Sequence, residues 1–170
     1  MRTLLLSSIA AAVCGLLAQH ASSRPSIVFC PGKQVSGSFS AVPGSAGAGN
    51  IVYALRLKNH GASACTLTGL PVVSLRGRYG KKLPTNVRSA HPGQATAMLV
   101  TLEPGRSATA TARFSPDVPG PGEGHTGPCE PTAYRLVVTP NGGGSTSVLI
   151  RPRTPVCEHG RLSFSVYTAS

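Results

Sequence analysis

The 170-residue chain has no tryptophan, two methionines, 5 % aromatic residues and only five acidic side chains. With so few rings, the core must be filled mainly by Val, Leu, Ile and Ala. The five carboxylates, Glu103, Asp117, Glu123, Glu130 and Glu158, leave little for paired acid–base chemistry. Glu103 belongs to a Glu-Pro-Gly-Arg turn pattern, and the other four fall in Pro/Gly-rich stretches. No Gly-x-Ser-x-Gly element supplies a nucleophile elbow. Gly142-Gly143-Gly144 lacks the Lys-Ser/Thr and the following helix that a phosphate loop requires, so it reads as a turn. Met98 is the one methionine beyond the first residue, too few for a Met/His copper carrier. The expectation is a non-enzymatic protein with no catalytic residues and no cofactor.

What is present begins with a leader. Residues 1–23 start with a cationic Met1-Arg2, continue through an apolar stretch from Leu4 to Ala18 and end in small residues, the layout of a secretory signal peptide. A cut after Ser23 fits best, with a cut after Ala21 as the alternative. About 15 apolar residues fall short of the roughly 20 that span a bilayer, so no transmembrane segment is expected after cleavage. Cys14 lacks the leucine and small-residue approach of a lipidated cysteine and departs with the leader. Loss of Arg2 takes the net charge from +11 to +10, and residues 24–170 are of single-domain size. The expected location is secreted, extracellular or associated with the cell envelope.

Twenty glycines and 15 prolines fall between the apolar runs and exclude long helices beyond the leader. The runs alternate with the period of a strand. In Ile51 to Lys58, Tyr53, Leu55 and Leu57 share one face, and Ala54, Arg56 and Lys58 share the other. Further strands are expected near Val35 to Ser40, over Leu70 to Arg76, Ala97 to Leu102, Ser107 to Phe114, Tyr134 to Thr139, Ser145 to Ile150 and Leu162 to Thr168. Pro104-Gly105 has type II turn chemistry and predicts a hairpin between its flanking strands; Asn141 to Gly144 predicts a second. Short strands with Pro/Gly turns and no crossover helices indicate an all-β antiparallel sandwich.

Strand direction then constrains the cysteines. Cys30 precedes the first strand and Cys65 follows the strand that returns from it. Cys129 precedes the Tyr134 strand and Cys157 follows its hairpin partner. The predicted disulfides are Cys30–Cys65 and Cys129–Cys157, consistent with an oxidising compartment. In the chain-entropy model each contributes roughly 3.5–4 kcal/mol before native strain is subtracted.

Four elements occur in order: Asn59 to Pro71 (NHGASACTLTGLP), Leu102 to Ala108 (LEPGRSA), Cys129-Glu130-Pro131 and Pro155-Val156-Cys157. Together they resemble the exported actinobacterial module called domain of unknown function 4232, over roughly Cys30 to Tyr167. The resemblance implies an immunoglobulin-like sandwich in secreted proteins and lipoproteins of the cell envelope. It implies no activity and carries no catalytic residues over.

Two functional surfaces remain. Arg76, Arg78, Lys81, Lys82 and Arg88 cluster around the turn Gly77 to Gly80, where few acidic groups can neutralise them. Such a patch attracts anionic cell-wall polymers or acidic headgroups. Nucleic acid is disfavoured, because export removes the chain from it and no aromatic stacking platform accompanies the charge. Outward Arg56, Lys58, Arg113 and Arg135 read instead as solubility and edge protection. The proline-stiffened loop Ser115 to Thr132 is the other surface, suited to an envelope protein partner or to a plain crossover. A competing metal reading uses His125, Cys129, Cys157 and His159 as a Cys2His2 zinc set, which a Cys129–Cys157 disulfide would dismantle. His60 and His91 read as exposed turn residues.

Overall fold

The computed structural model describes residues 26–94 and 98–170. The leader, Cys14 and the first residue of the expected strand at Ala97 lie outside the described residues.

Eleven strands follow in chain order: β1 (Val35–Ala41), β2 (Ile51–Asn59), β3 (Cys65–Thr68), β4 (Val72–Arg76), β5 (Asn86–Ser89), β6 (Leu99–Leu102), β7 (Ser107–Phe114), β8 (Ala133–Thr139), β9 (Thr146–Thr154), β10 (Arg161–Phe164) and β11 (Thr168–Ala169). Nine form one sheet in the order β4-β8-β9-β1-β2-β7-β10-β5, with β11 also on β7, and β3 pairs with β6 in a small second sheet. The long sheet turns at the β1–β9 contact, where only Phe39 and Ser40 face Ile150 and Arg151. Its two halves enclose a common core that includes Leu55, Leu75, Leu136, Ile150 and Leu162. The all-β sandwich with two disulfides expected from the alternation is the observed architecture. It differs in that β1–β9 and β5–β10 pair in parallel.

Four of the eight aromatics cluster on β1, β2, β7 and β10. Phe39 packs on Tyr53 and on Phe164, with ring centroids 5.1 and 6.2 Å away, and Tyr53 lies 5.1 Å from Phe114. The Tyr53 hydroxyl donates to Pro152 O at 2.8 Å, tying β2 to β9. Burial raises the pKa of both Tyr53 and Tyr167, so each stays protonated at neutral pH.

The turn at Glu103 to Arg106 forms as its chemistry predicts. Arg106 N–H donates to Glu103 O at 2.9 Å, and Gly105 adopts φ +80°, open to glycine at little steric cost. The expected hairpin across it does not form: β6 pairs with β3, whereas β7 pairs with β2 and β10. The reason lies in side-chain size. On the inner face Tyr53, Leu55 and Leu57 of β2 stand opposite Ala112, Ala110 and Ala108 of β7, large against small along the ladder. Val100 and Leu102 of β6 instead cover Leu67 and Cys65. The second hairpin, β8–β9, forms as expected. Its glycine-rich tip is docked, Gly142 N–H donating to Cys30 O and Gly32 N–H to Gly143 O.

Both disulfides have the predicted connectivity, with Cα–Cα distances of 4.8 Å for Cys30–Cys65 and 5.5 Å for Cys129–Cys157. Asn59, fully buried, completes the end near Cys65. Its amide donates to Ser63 O and Leu102 O, each at 2.8 Å, and its oxygen accepts Gly61 N–H and Gln34 Nε2. All of its polar capacity is used, which is what burial of an amide requires.

Candidate functional site

The basic turn is held from below. Leu83 is buried, its N–H donates to Leu75 O, and Thr85 Oγ1 accepts Leu75 N–H while donating to Leu83 O. Gly77 N–H reaches Lys81 O at 2.8 Å and Arg76 bridges Lys82, so residues 76–83 fold back along the edge of β4. Arg78, Lys81 and Lys82 project into solvent, and none of the three pairs with a carboxylate among the described residues. Tyr79 stands between them at φ +60°, 93 % exposed, with the Arg78 guanidinium 5.2 Å from its ring centroid. An aromatic ring therefore does accompany the charge, contrary to the expectation from the sequence. Tyr79 was hidden there because Arg-Tyr-Gly-Lys reads only as turn chemistry.

The five predicted cations do not share one place. Arg76 lies on β4 directly opposite Arg135 of β8. Arg88 lies on β5 beside Ser163 of β10, in the other half of the sheet.

The Cys129–Cys157 disulfide takes both sulfurs out of the four-residue zinc set, and His125 is exposed and joins no convergent group among the described residues. His159 of that set meets two unforeseen partners. Its Nδ1 is 3.6 Å from Glu123 Oε1 and 3.7 Å from Glu130 Oε1, while Nε2 lies 3.1 Å from Pro121 O. Glu123 is sealed, its side chain 2 % exposed. Gly120 and Glu158 N–H donate to Oε2 at 2.6 and 2.9 Å, and His159 N–H donates to Oε1. The last two donors converge because Glu158 and His159 both adopt left-handed backbone, φ +55°, which turns consecutive N–H groups toward one anion. Burial alone would raise the Glu123 pKa; the three backbone donors and nearby His159 outweigh it and hold it below the usual value. Glu130 goes the other way, raised by burial and by the charge of Glu123.

The loop 115–132 is largely exposed but anchored at three points. Ser115 Oγ accepts Val118 N–H, Glu123 anchors the middle and the disulfide closes the end. An acid in a Pro/Gly-rich stretch gives no hint of burial, so the role of Glu123 was not legible. Among the described residues no helix is long and apolar enough to cross a membrane.

No curated protein and no solved structure matches the chain. The family model described as Domain of unknown function (DUF4232) matches residues 30–167, from the first disulfide cysteine to the buried Tyr167. The chain belongs to the DUF4232 family.

Proposed function

We propose that the chain is a secreted, non-enzymatic binding module of the cell envelope that holds anionic envelope polymers through its basic turn. The observation that carries this reading is the display of Arg78, Lys81 and Lys82 around exposed Tyr79 on an anchored turn, without a carboxylate partner among the described residues. Cations provide attraction to phosphate or carboxylate groups, and an exposed ring provides a stacking surface for a sugar. The disulfides suit an oxidising compartment. The absence of enzymatic activity is supported by how the carboxylates are used: Glu123 receives backbone donors and Glu158 holds Arg161 at 2.8 Å. The test is cosedimentation with isolated cell wall. Lys81→Glu together with Lys82→Glu is expected to reduce the bound fraction by about tenfold at low salt, since each reversal replaces attraction by repulsion. Unchanged binding by the double variant would remove the turn from the account.

A further inference from the structure

A second cationic surface is assembled by strand register from residues far apart in the sequence. On the outward side of β1, β2, β7, β10 and β5, hydroxyl and cationic side chains alternate across the strands. One row reads Ser36, Lys58, Ser107, and the row two residues along reads Ser38, Arg56, Thr109. Farther along, Arg113, Ser163 and Arg88 form a third row. Their outward direction follows from burial: Leu55, Leu57, Ala110, Ala112, Leu162 and Phe164, at the alternating positions, are all at most 1 % exposed.

None of the chain's five carboxylates lies on these strands; Glu158 alone reaches the face, where it pairs with Arg161. Arg56, Lys58, Arg88 and Arg113 have no ion pair among the described residues. Edge protection does not account for them all. β2 and β7 are interior strands, hydrogen-bonded on both sides, so Arg56, Lys58 and Arg113 guard no edge. A surface that served only solubility would mix signs.

The geometry also defines two stations. Arg113 pairs with Val52, four residues from Arg56, which separates the Arg56 and Arg113 rows by roughly 13 Å along the strands. Each station borders a depression. One of about 490 Å³ is lined by Ser36, Ser38, Arg56, Lys58 and Ser107, and one of about 220 Å³ by Asn50, Arg113, Arg161, Ser163 and the Arg161-paired Glu158.

We propose that this face binds a linear anionic glycan, with its charged groups at the two cationic stations and its hydroxyls on the serine and threonine rows. Arginine forks match the oxyanions of such a chain, and side-chain hydroxyls both donate to and accept from sugar hydroxyls. The three rows contain no aromatic side chain, so nothing in them stacks bases as single-stranded nucleic acid binders do. The proposal rests on the reading of the chain as a binder of anionic envelope polymers, but places a site on a different surface from the basic turn.

The test is titration of the intact protein with polygalacturonate at low salt, beside neutral dextran of matched length and a single-stranded oligonucleotide. The expected result is binding of polygalacturonate, none of dextran and weaker binding of the oligonucleotide. Arg56→Gln with Arg113→Gln, both exposed, should weaken polygalacturonate at least roughly tenfold without shifting the melting temperature. Equal affinity for that variant and the parent would overturn the proposal. If Lys81→Gln with Lys82→Gln then abolished binding, the turn reading would stand alone. Failure of the parent to bind polygalacturonate while still sedimenting with cell wall would overturn the face and leave the turn. Oligonucleotide binding as tight as polygalacturonate would overturn the assignment of partner.

Discussion

Glu123 keeps its charge in a nearly sealed site because three backbone N–H groups converge on it, two of them from residues in left-handed conformation. That conformation costs a side-chain-bearing residue roughly 1–2 kcal/mol, and the carboxylate offsets it. The pKa directions give opposite signs for the two neighbouring acids. A depressed pKa in Glu123 means stability that is present above the ordinary value of 4.5 and lost as pH falls through the lower, folded value. A raised pKa in Glu130 means stability present below 4.5 and lost as pH rises through the folded value. At about pH 7, Glu123→Gln should therefore lower stability by roughly 2 kcal/mol, and Glu130→Gln should raise it. Thermal melts at about pH 7 and about pH 3.5 check this: the Glu130→Gln gain should vanish in acid, where both forms are neutral. A Glu130→Gln variant less stable than the parent at pH 7 would contradict the assigned geometry. None of this was visible in the sequence, where Glu123 sits in a Pro/Gly-rich loop and only the fold brings it under His159.

At the scale of elements, legibility followed length and alternation. β2 was readable because the large apolar Tyr53, Leu55 and Leu57 alternate with Ala54, Arg56 and Lys58, and the cysteine pairs followed from strand direction. β5, four residues with Val87 as its one apolar position, shows no period. The Pro104-Gly105 turn was readable, but its strands' partners were not, because turn chemistry specifies a reversal and packing decides what lies alongside. The alanines of β7 illustrate the point, being small where β2 is large. Ala110→Leu, opposite Leu55, should destabilise by roughly 1–3 kcal/mol through overpacking. Ala54→Ser, on the outward side of β2, should change stability by less than about 0.5 kcal/mol. Denaturant melts of both variants check the assignment, and an unperturbed Ala110→Leu would mean that the β2–β7 inner face is looser than described.

Over the whole molecule, charge is distributed by the fold rather than by sequence clusters. Arg76 and Arg88 appear together in a run of basic residues, yet they stand in different halves of the sheet, opposite Arg135 and beside Ser163. Arg56 and Arg113, distant in the chain, belong to one outward face. With +11 formal charge and five acids, few of these cations have a partner among the described residues, which is the basis for proposing an external polyanion as their counterpart. The direct measurement is the bound fraction of the protein on isolated cell wall at about 20 mM and about 500 mM sodium chloride, where screening shortens the reach of charge several-fold. The account predicts retention at low salt and release at high salt. Absence of binding at low salt, or binding indifferent to salt, would contradict it.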